Sequence, residues 1–365
     1  MSLDNARTPL SARISGAIRS RAQRRIRLAR DRIDKINAVQ FGLRGLLLPR
    51  RIKHVSGPWR PQTEPGDVIV TSVMRNGMSW LQSYLAHHRK LGVRHFVIID
   101  NGSDDGTSAY LAAQPDVTLL YTDAPYNAYE NTMKRYLAEN FCAGRWCLCV
   151  DVDELFEYPY MDRVPLSELV RYLDQHGYTA VITQMLDMFS DVPLNRLESR
   201  PEDDFKATYR WYDTSGMRKS DYTWGEAGGH IVFHSGGIRS LVFGTDNGLT
   251  KVSFFKMDGK VKPFIHWHHV YQGRFAPFSA VLLHFPFVSS FYDKVAEAVA
   301  SGRYGYYTSD EYAAYRAGLG QAGDLHLKRE TSKEYTMPEA LLEEGFLYAS
   351  PEYRQVFAGA DSGGT

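Results

Sequence analysis

The fold is decided by residues 67–100, which read DVIVTSVMRNGMSWLQSYLAHHRKLGVRHFVIID. The stretch opens with the apolar run 67–73 and closes with a second one, 94–100, and both are typical of buried strands. Between them, residues 78–91 repeat apolar side chains at helical spacing, with one face formed by Leu81, Tyr84, Leu85 and His88. A strand, a helix and a strand in this order predict a right-handed crossover between two parallel strands.

The alternation continues as far as Asp151. A turn at 102–106 opens a predicted helix, Thr107–Ala113, and further elements follow: strand Val117–Tyr121, helix 127–140 and strand Trp146–Val150. Beyond Asp151 the pattern loosens into a predicted helix, Leu166–His176, a strand, Tyr178–Gln184, and glycine-punctuated short strands from about 190 to 275. We therefore predict an α/β protein with a Rossmann-like, mostly parallel sheet flanked by helices and a smaller mixed lobe. Ligands of such sheets bind at the carboxyl ends of the strands.

Composition excludes several classes of protein. The chain has 365 residues, of which 44% are hydrophobic and 23% charged, so disordered, collagen-like and coiled-coil chains are excluded. It contains no run of 18 uncharged apolar residues, so no membrane-spanning helix is predicted. The three cysteines, Cys142, Cys147 and Cys149, are odd in number and clustered, which favours reduced core thiols and a cytoplasmic location.

The net charge of the whole chain is near zero, but its N-terminal segment is strongly basic. Residues 1–54 carry fourteen Lys/Arg against three Asp, a net charge of +11, which leaves −10 on the remainder. Isoleucines and alanines recur there at three- and four-residue intervals from Ile14 to Ile36, which predicts a basic amphipathic helix. Such a helix fits an anionic membrane surface, and the alternatives are packing on the acidic body or on a partner subunit. An Arg-rich transit peptide is a further alternative. We divide the chain into an arm (1–57), a main domain (58–315, with halves 66–160 and 161–315) and a C-terminal helical extension with a flexible tail (316–365).

The sharpest chemical signal is Asp151-Val152-Asp153-Glu154, directly after the strand WCLCV. In an extended chain Asp151 and Asp153 would point to the same side, and two carboxylates at a strand end suit Mg²⁺ or Mn²⁺. The metal would be held by these carboxylates together with substrate phosphates. A chance D-x-D triplet in a loop is the alternative.

The combination of residues 73–107 with WCLCVDVDELF about fifty residues later resembles the family 2-like glycosyltransferases with a GT-A fold. The matching positions include Arg75 and Asn76, the helix residues Leu81, Tyr84 and His88, Gly92, and Asp100-Asn101-Gly102-Ser103-Asp104-Asp105. The likeness covers residues 66–160 well and is looser to about 295. Two positions depart from it: Gly77 stands where the family commonly has Glu, and Ser83-Tyr84 stands where it has Glu-Trp.

The resemblance implies a function and a set of roles. It implies transfer of a sugar, with inversion, from a nucleotide-diphosphate donor to a saccharide or glycolipid acceptor, as in surface polysaccharide synthesis. The donor would be bound by Arg75, Asn76, Asp100, Ser103, Asp104 and Asp151. Asp153 would be the direct metal ligand, with Asp151 nearer the ribose or a metal-bound water. His284 in LLHFPF would complete the metal shell, with His266 and His268 as alternatives.

Several assignments stay open at this stage. The base that deprotonates the acceptor is predicted to be Asp187, at a strand end, or Glu226, in a loop. Aromatic residues that could line an acceptor site are Trp211, Tyr212, Trp224, Trp267 and Tyr271. Other functions to weigh are a nucleotidyl or phosphoryl transferase, which lacks its usual glycine loop here, and a catalytically silent sugar-binding scaffold. Nucleic-acid binding is disfavoured because the body is acidic.

Overall fold

A computed structural model describes residues 42–64, 66–198, 200, 204–222, 231–264, 269–320 and 323–358. The chain divides into two compact units, Met1–Pro49 and Arg50–Thr365. The predicted amphipathic helix lies outside the described residues, and of the first unit only the end is described. None of the helices in the described ranges combines the length and apolar character needed to cross a membrane.

The second unit is built on one nine-stranded sheet. Its strands in chain order are β1 (Lys53–Ser56), β2 (Val68–Met74), β3 (His95–Asp100), β4 (Val117–Tyr121), β5 (Trp146–Cys149), β6 (Glu154–Glu157), β7 (Ala180–Asp187), β11 (Thr250–Lys256) and β14 (Phe275–His284). They lie in the order β1-β4-β3-β2-β5-β11-β7-β14-β6. Six strands run in one direction, and β1, β6 and β11 run against them. The predicted α/β class and mostly parallel sheet are confirmed.

Smaller strands and the helices complete the unit. The short strands are β8 (Trp211–Tyr212), β9 (Met217–Asp221), β10 (Val232–Gly236), β12 (Lys262–Pro263), β13 (Val270–Tyr271) and β15 (Lys333–Glu334). The helices are α1 (Met78–Leu91), α2 (Thr107–Ala112), α3 (Tyr126–Phe141), α4 (Leu166–Gln175), α5 (Phe205–Thr208), α6 (Ile238–Phe243), α7 (Phe291–Ser301), α8 (Tyr306–Leu319), α9 (Pro338–Glu343) and α10 (Pro351–Ala358).

The first half follows the predicted alternation closely. Strands β2 and β3 are buried along their whole length, which explains why they are continuous apolar runs and do not alternate with polar residues. Helix α1 ends at Gly92, whose φ of 105° suits a residue without a side chain. From β2 the chain builds outward through β3 and β4 and then returns to the other side of β2 with β5. This reversal creates a crevice between the carboxyl ends of β2 and β5, where ligands of such sheets bind.

Two predicted boundaries need correction. The arm was placed at residues 1–57, but β1 begins at Lys53 and pairs antiparallel with β4, so residues 53–56 belong to the sheet. The extension from residue 316 was predicted as a separate helical piece, but α8 runs through that boundary. Tyr353 of α10 is fully buried and stacks on Phe278 of β14, with ring centroids 4.1 Å apart, so the extension is part of the core.

Candidate functional site

A cavity of about 1180 Å³ lies at the carboxyl edge of the sheet. Its floor includes the end of β2, from Val73 to Asn76, and the segment after β5, from Asp151 to Glu154. Residues 244–248, before β11, and residues of α7 and α8 form further walls. The cavity therefore lies at the predicted crevice, and its volume is somewhat above the ~300–1,000 Å³ typical of ligand sites.

Four of the six predicted donor-binding residues form one hydrogen-bonded corner, and of these four only Asn76 lines the described cavity. Asn76 has a positive φ of 53°, a conformation that Asn tolerates better than most residues. Its backbone N–H donates to Ser103 Oγ at 2.9 Å, and its side-chain amide exchanges hydrogen bonds with Asp104 at 2.9 and 3.0 Å. Asp100 is buried and accepts from both the N–H and the hydroxyl of Ser103.

This corner separates the six donor-binding candidates into two groups. Arg75, Asn76 and Asp151 line the cavity, and Arg75 also lies 3.7 Å from Glu297 of α7. Asp100, Ser103 and Asp104 are not among the described residues of the lining. Ser103 and Asp104 instead hold the backbone and amide of Asn76, and Asp100 holds Ser103. The structure thus gives these three a supporting position behind Asn76.

The two aspartates of the D-x-D sequence have different partners. The chain turns after β5, because the Glu154 N–H donates to the Asp151 carbonyl at 3.0 Å, so the alternation expected of an extended strand does not apply. Asp151 has one carboxylate oxygen 3.0 Å from Lys134 Nζ and the other 3.5 Å from Lys251 Nζ. Both aspartates line the cavity, but lysines lie beside the two carboxylate oxygens of Asp151.

Asp153 instead lies near His284, the histidine that the resemblance implies as its metal-binding partner. Its Oδ2 atom lies 3.6 Å from His284 Nε2 and 3.3 Å from Lys294 Nζ, and all three residues line the cavity. The backbone fixes this approach, because the Phe285 N–H donates to the Asp153 carbonyl at 2.8 Å. His284 comes from the end of β14, which pairs with β6 directly after the D-x-D turn.

The charges of this group reinforce one another. Burial alone would raise the pKa of Asp153, but Lys294 and His284 outweigh that effect and hold the pKa well below its ordinary value. Burial alone would lower the pKa of His284, but Asp153 and Asp187 outweigh it and raise the pKa to about 9. In the ligand-free protein the carboxylate and the imidazolium therefore form an ion pair.

Asp187, one of the two predicted bases, lies next to His284 and outside the described lining of the cavity. Its side chain is 2% exposed and accepts from His284 Nδ1 at 2.6 Å and from Arg239 Nε at 2.8 Å. Burial alone would raise the pKa of Asp187, but Arg239 and His284 outweigh it and lower the pKa. A carboxylate that is enclosed and paired twice cannot reach an acceptor hydroxyl, so this position argues against the general-base role. It suits a residue that orients the imidazole.

A metal would have two protein ligands here. Within the described ranges, no group of three or more His, Cys, Asp or Glu side chains is arranged to hold a metal ion. Asp153 and His284 still present an oxygen and a nitrogen 3.6 Å apart on the cavity wall. Mg²⁺ and Mn²⁺ are commonly held by one or two side chains plus substrate phosphates, so this pair fits an ion that is shared with a diphosphate.

Some predicted site residues are not covered or lie elsewhere. Glu226, His266, His268, Trp224 and Trp267 fall outside the described residues. Trp211 and Tyr212 form β8, which pairs with β15, and neither they nor Tyr271 belongs to the described lining of the cavity. The three cysteines are buried and unpaired, as predicted.

The basic side chains of the site are not predicted from the sequence. Lys134, Arg239, Lys251 and Lys294 lie on α3, α6, β11 and α7, and each contacts an acidic side chain of this region. Each is a single basic residue in an ordinary local context, so no spacing marks it. The one available signal is that Lys134, Arg239 and Lys251 fall among the buried positions of their own elements.

Comparison with known proteins adds no family to this description. No protein-family model matches the chain, and no curated protein is similar enough to be counted as a relative.

Proposed function

We propose that this chain is a metal-dependent glycosyltransferase of GT-A type that moves a sugar from a nucleotide-diphosphate donor to a saccharide or glycolipid acceptor. One observation carries the proposal: Asp153 and His284, which are distant in sequence, lie 3.6 Å apart on the wall of a large cavity at the carboxyl edge of the sheet. A bound Mn²⁺ or Mg²⁺ would neutralise charge on the departing diphosphate.

The residues of the chain would divide the work of binding and positioning. Asp153 and His284 hold the ion, and Asp187 orients His284 through its 2.6 Å hydrogen bond. Arg75 and Asn76 bound the side of the cavity next to β2, where the donor nucleotide would lie. For an inverting transfer the acceptor hydroxyl must lose its proton to a nearby carboxylate. Because Asp187 is enclosed, Glu226 is the better of the two predicted bases.

A binding and turnover panel tests the proposal. UDP, GDP, CDP and their common sugar conjugates would be titrated with and without Mn²⁺, and release of the diphosphate would be followed. We compare the wild type with Asp153→Asn and with Asp162→Asn, an exposed aspartate outside the described cavity lining. We expect one nucleotide to bind in a Mn²⁺-dependent way, Asp153→Asn to lose that binding and Asp162→Asn to keep it. If no nucleotide binds, or if Asp153→Asn binds as well as the wild type, the assignment of the D-x-D site fails.

We further propose that the enzyme works at the cytoplasmic face of a membrane and contributes to surface polysaccharide. This proposal rests on the basic arm, since each Lys or Arg near an anionic leaflet contributes about 1 kcal/mol. Liposome flotation at low and high salt would compare the full chain with a version that lacks residues 1–49, which leaves β1 intact. Salt-sensitive flotation of the full chain alone supports the proposal, and its absence at low salt rejects it.

A further inference from the structure

Every acidic side chain of the D-V-D-E turn contacts a lysine. Asp151 lies between Lys134 and Lys251, and Glu154 also contacts Lys251. Asp153 contacts Lys294, with Asp153 Oδ2 3.3 Å from Lys294 Nζ. Ammonium groups therefore balance much of the negative charge that a divalent cation would otherwise neutralise.

These lysines are charged despite their burial. Burial alone would lower the pKa of each, but neighbouring acidic groups outweigh it and the pKa values lie above the ordinary value. For Lys294 the opposing groups are Tyr312 and then Asp153.

Lys294 is held less firmly than the other two. Lys134 lies between Glu130 and Asp151 and is 3% exposed, and Lys251 is shared by two carboxylates and is 10% exposed. Lys294 has Asp153 as its carboxylate contact among the described residues and is 28% exposed. Its Nζ also lies over the ring of Trp80, 4.9 Å from the centroid, which is a favourable contact that does not depend on Asp153.

We propose that Lys294 pairs with Asp153 in the ligand-free protein and moves to the donor diphosphate when metal and nucleotide enter together. The inference rests on the function proposed above. A divalent ion that bound Asp153 alone would bring two positive charges up to an ammonium already in contact with that carboxylate, so the ion would bind weakly. The diphosphate brings the negative charge that accepts both the ion and the displaced ammonium. Lys294 is then a residue that touches the substrate, and it makes metal binding conditional on the nucleotide.

The proposal predicts effects of opposite sign from one substitution. Lys294→Met keeps an unbranched side chain against Trp80 but removes the charge. We expect it to tighten the binding of Mn²⁺ alone by about tenfold and to weaken binding of the nucleotide in the presence of Mn²⁺ by about tenfold, the order expected when one neighbouring unit charge is removed from a partly hydrated site. A purely structural role would weaken both kinds of binding together.

Paramagnetic resonance of free Mn²⁺ measures the metal affinity directly, without turnover. Titrations use Mn²⁺ alone and then Mn²⁺ with whichever of UDP, GDP and CDP binds the wild type. Lys294→Arg keeps the charge and should behave like the wild type. Lys328→Met is the matched control, because Lys328 Nζ also lies over a tryptophan, 3.5 Å from the ring centroid of Trp211, but outside the described cavity lining. Thermal denaturation shows that each variant is folded.

The outcomes separate the two proposals. If the wild type binds Mn²⁺ with a nucleotide and Lys294→Met leaves the affinity for Mn²⁺ alone unchanged or weaker, the role of Lys294 is rejected while the proposed function stands. If the wild type binds no nucleotide with Mn²⁺, both are rejected. If Lys294→Met fails to fold, the comparison of Lys294→Arg with the wild type decides. The proposal is rejected if the two proteins differ in their affinity for Mn²⁺ alone. It is supported if these affinities are equal and nucleotide binding is unaltered.

Discussion

Replacement of Asp187 by Asn is the sharpest test of how the site is held together. The substitution keeps the shape of the side chain but removes the charge that pairs with Arg239 at 2.8 Å and accepts from His284 at 2.6 Å. Breaking a buried ion pair typically costs about 3–5 kcal/mol. Arg239 retains Glu311 at 3.1 Å as a partner, so we expect the lower end, about 3 kcal/mol. For a unit of this size that corresponds to a fall in Tm of roughly 5 °C.

The same substitution should weaken metal binding more specifically. Residues that orient a metal-binding histidine typically affect metal affinity by about 10- to 100-fold when they are replaced. We therefore expect Asp187→Asn to lower Mn²⁺ affinity, measured in the presence of the nucleotide, by that factor. The matched control is Asp213→Asn, because Asp213 is also buried but accepts hydrogen bonds from Ser215 and Thr331 outside the described cavity lining. It should lose stability and keep its Mn²⁺ affinity. Equal Mn²⁺ affinities for Asp187→Asn and the wild type would refute the orienting role.

Two further predictions concern Gly77 and His88. A Cβ added at Gly77 would lie 3.3 Å from Val152 of the D-x-D turn. Since a 1 Å displacement can cost about 100-fold, a shift of a few tenths in Gly77→Ala should weaken Mn²⁺-dependent nucleotide binding roughly threefold. The control Gly323→Ala adds its methyl group in open space and should leave this binding unchanged. Burial, with a smaller effect of the neighbouring His87, lowers the pKa of His88 to about 3. Because only the unfolded state takes up the proton, the free energy of unfolding should fall as the pH drops below about 6.5, by up to ~1.4 kcal/mol per pH unit. Urea titrations at several pH values should show this slope in the wild type and in His326→Gln but a smaller one in His88→Gln, and equal slopes in all three would contradict the assignment.

The first half of the fold could be predicted from the sequence because its elements are local and regular. Strand Val117–Tyr121 was predicted at its observed bounds, and α1 coincides with the predicted 78–91. The second half is harder to predict because β11 and β14 enter the same sheet from distant parts of the chain. The sequence does not predict the ten-residue β14, since nothing local in it shows that this segment pairs with β7 and β6.

The candidate site, too, could be predicted from the sequence only in part. Carboxylates and histidines in short motifs can be recognised one by one, and the resemblance implies that Asp153 and His284 are ligands of the same metal ion. Their counter-charges cannot be recognised in this manner, because the lysines and Arg239 acquire meaning only when the sheet brings them to one edge. Asp151 and Asp187 show the same limit, because each is paired with cations that the sequence does not mark.

The position of His284 follows from strand register. In the parallel pairing of β14 with β7, His284 lies opposite Asp187, and in the antiparallel pairing of β14 with β6 it lies opposite Glu154. Because successive side chains of a strand point to opposite faces, a slip of one residue would carry the imidazole to the other face of the sheet and away from both Asp153 and Asp187. The buried apolar residues that precede His284 oppose such a slip, since Val281, Leu282 and Leu283 would all exchange faces with it. The packing of β14 and the hydrogen bond to Asp187 therefore act together to fix the histidine of the site.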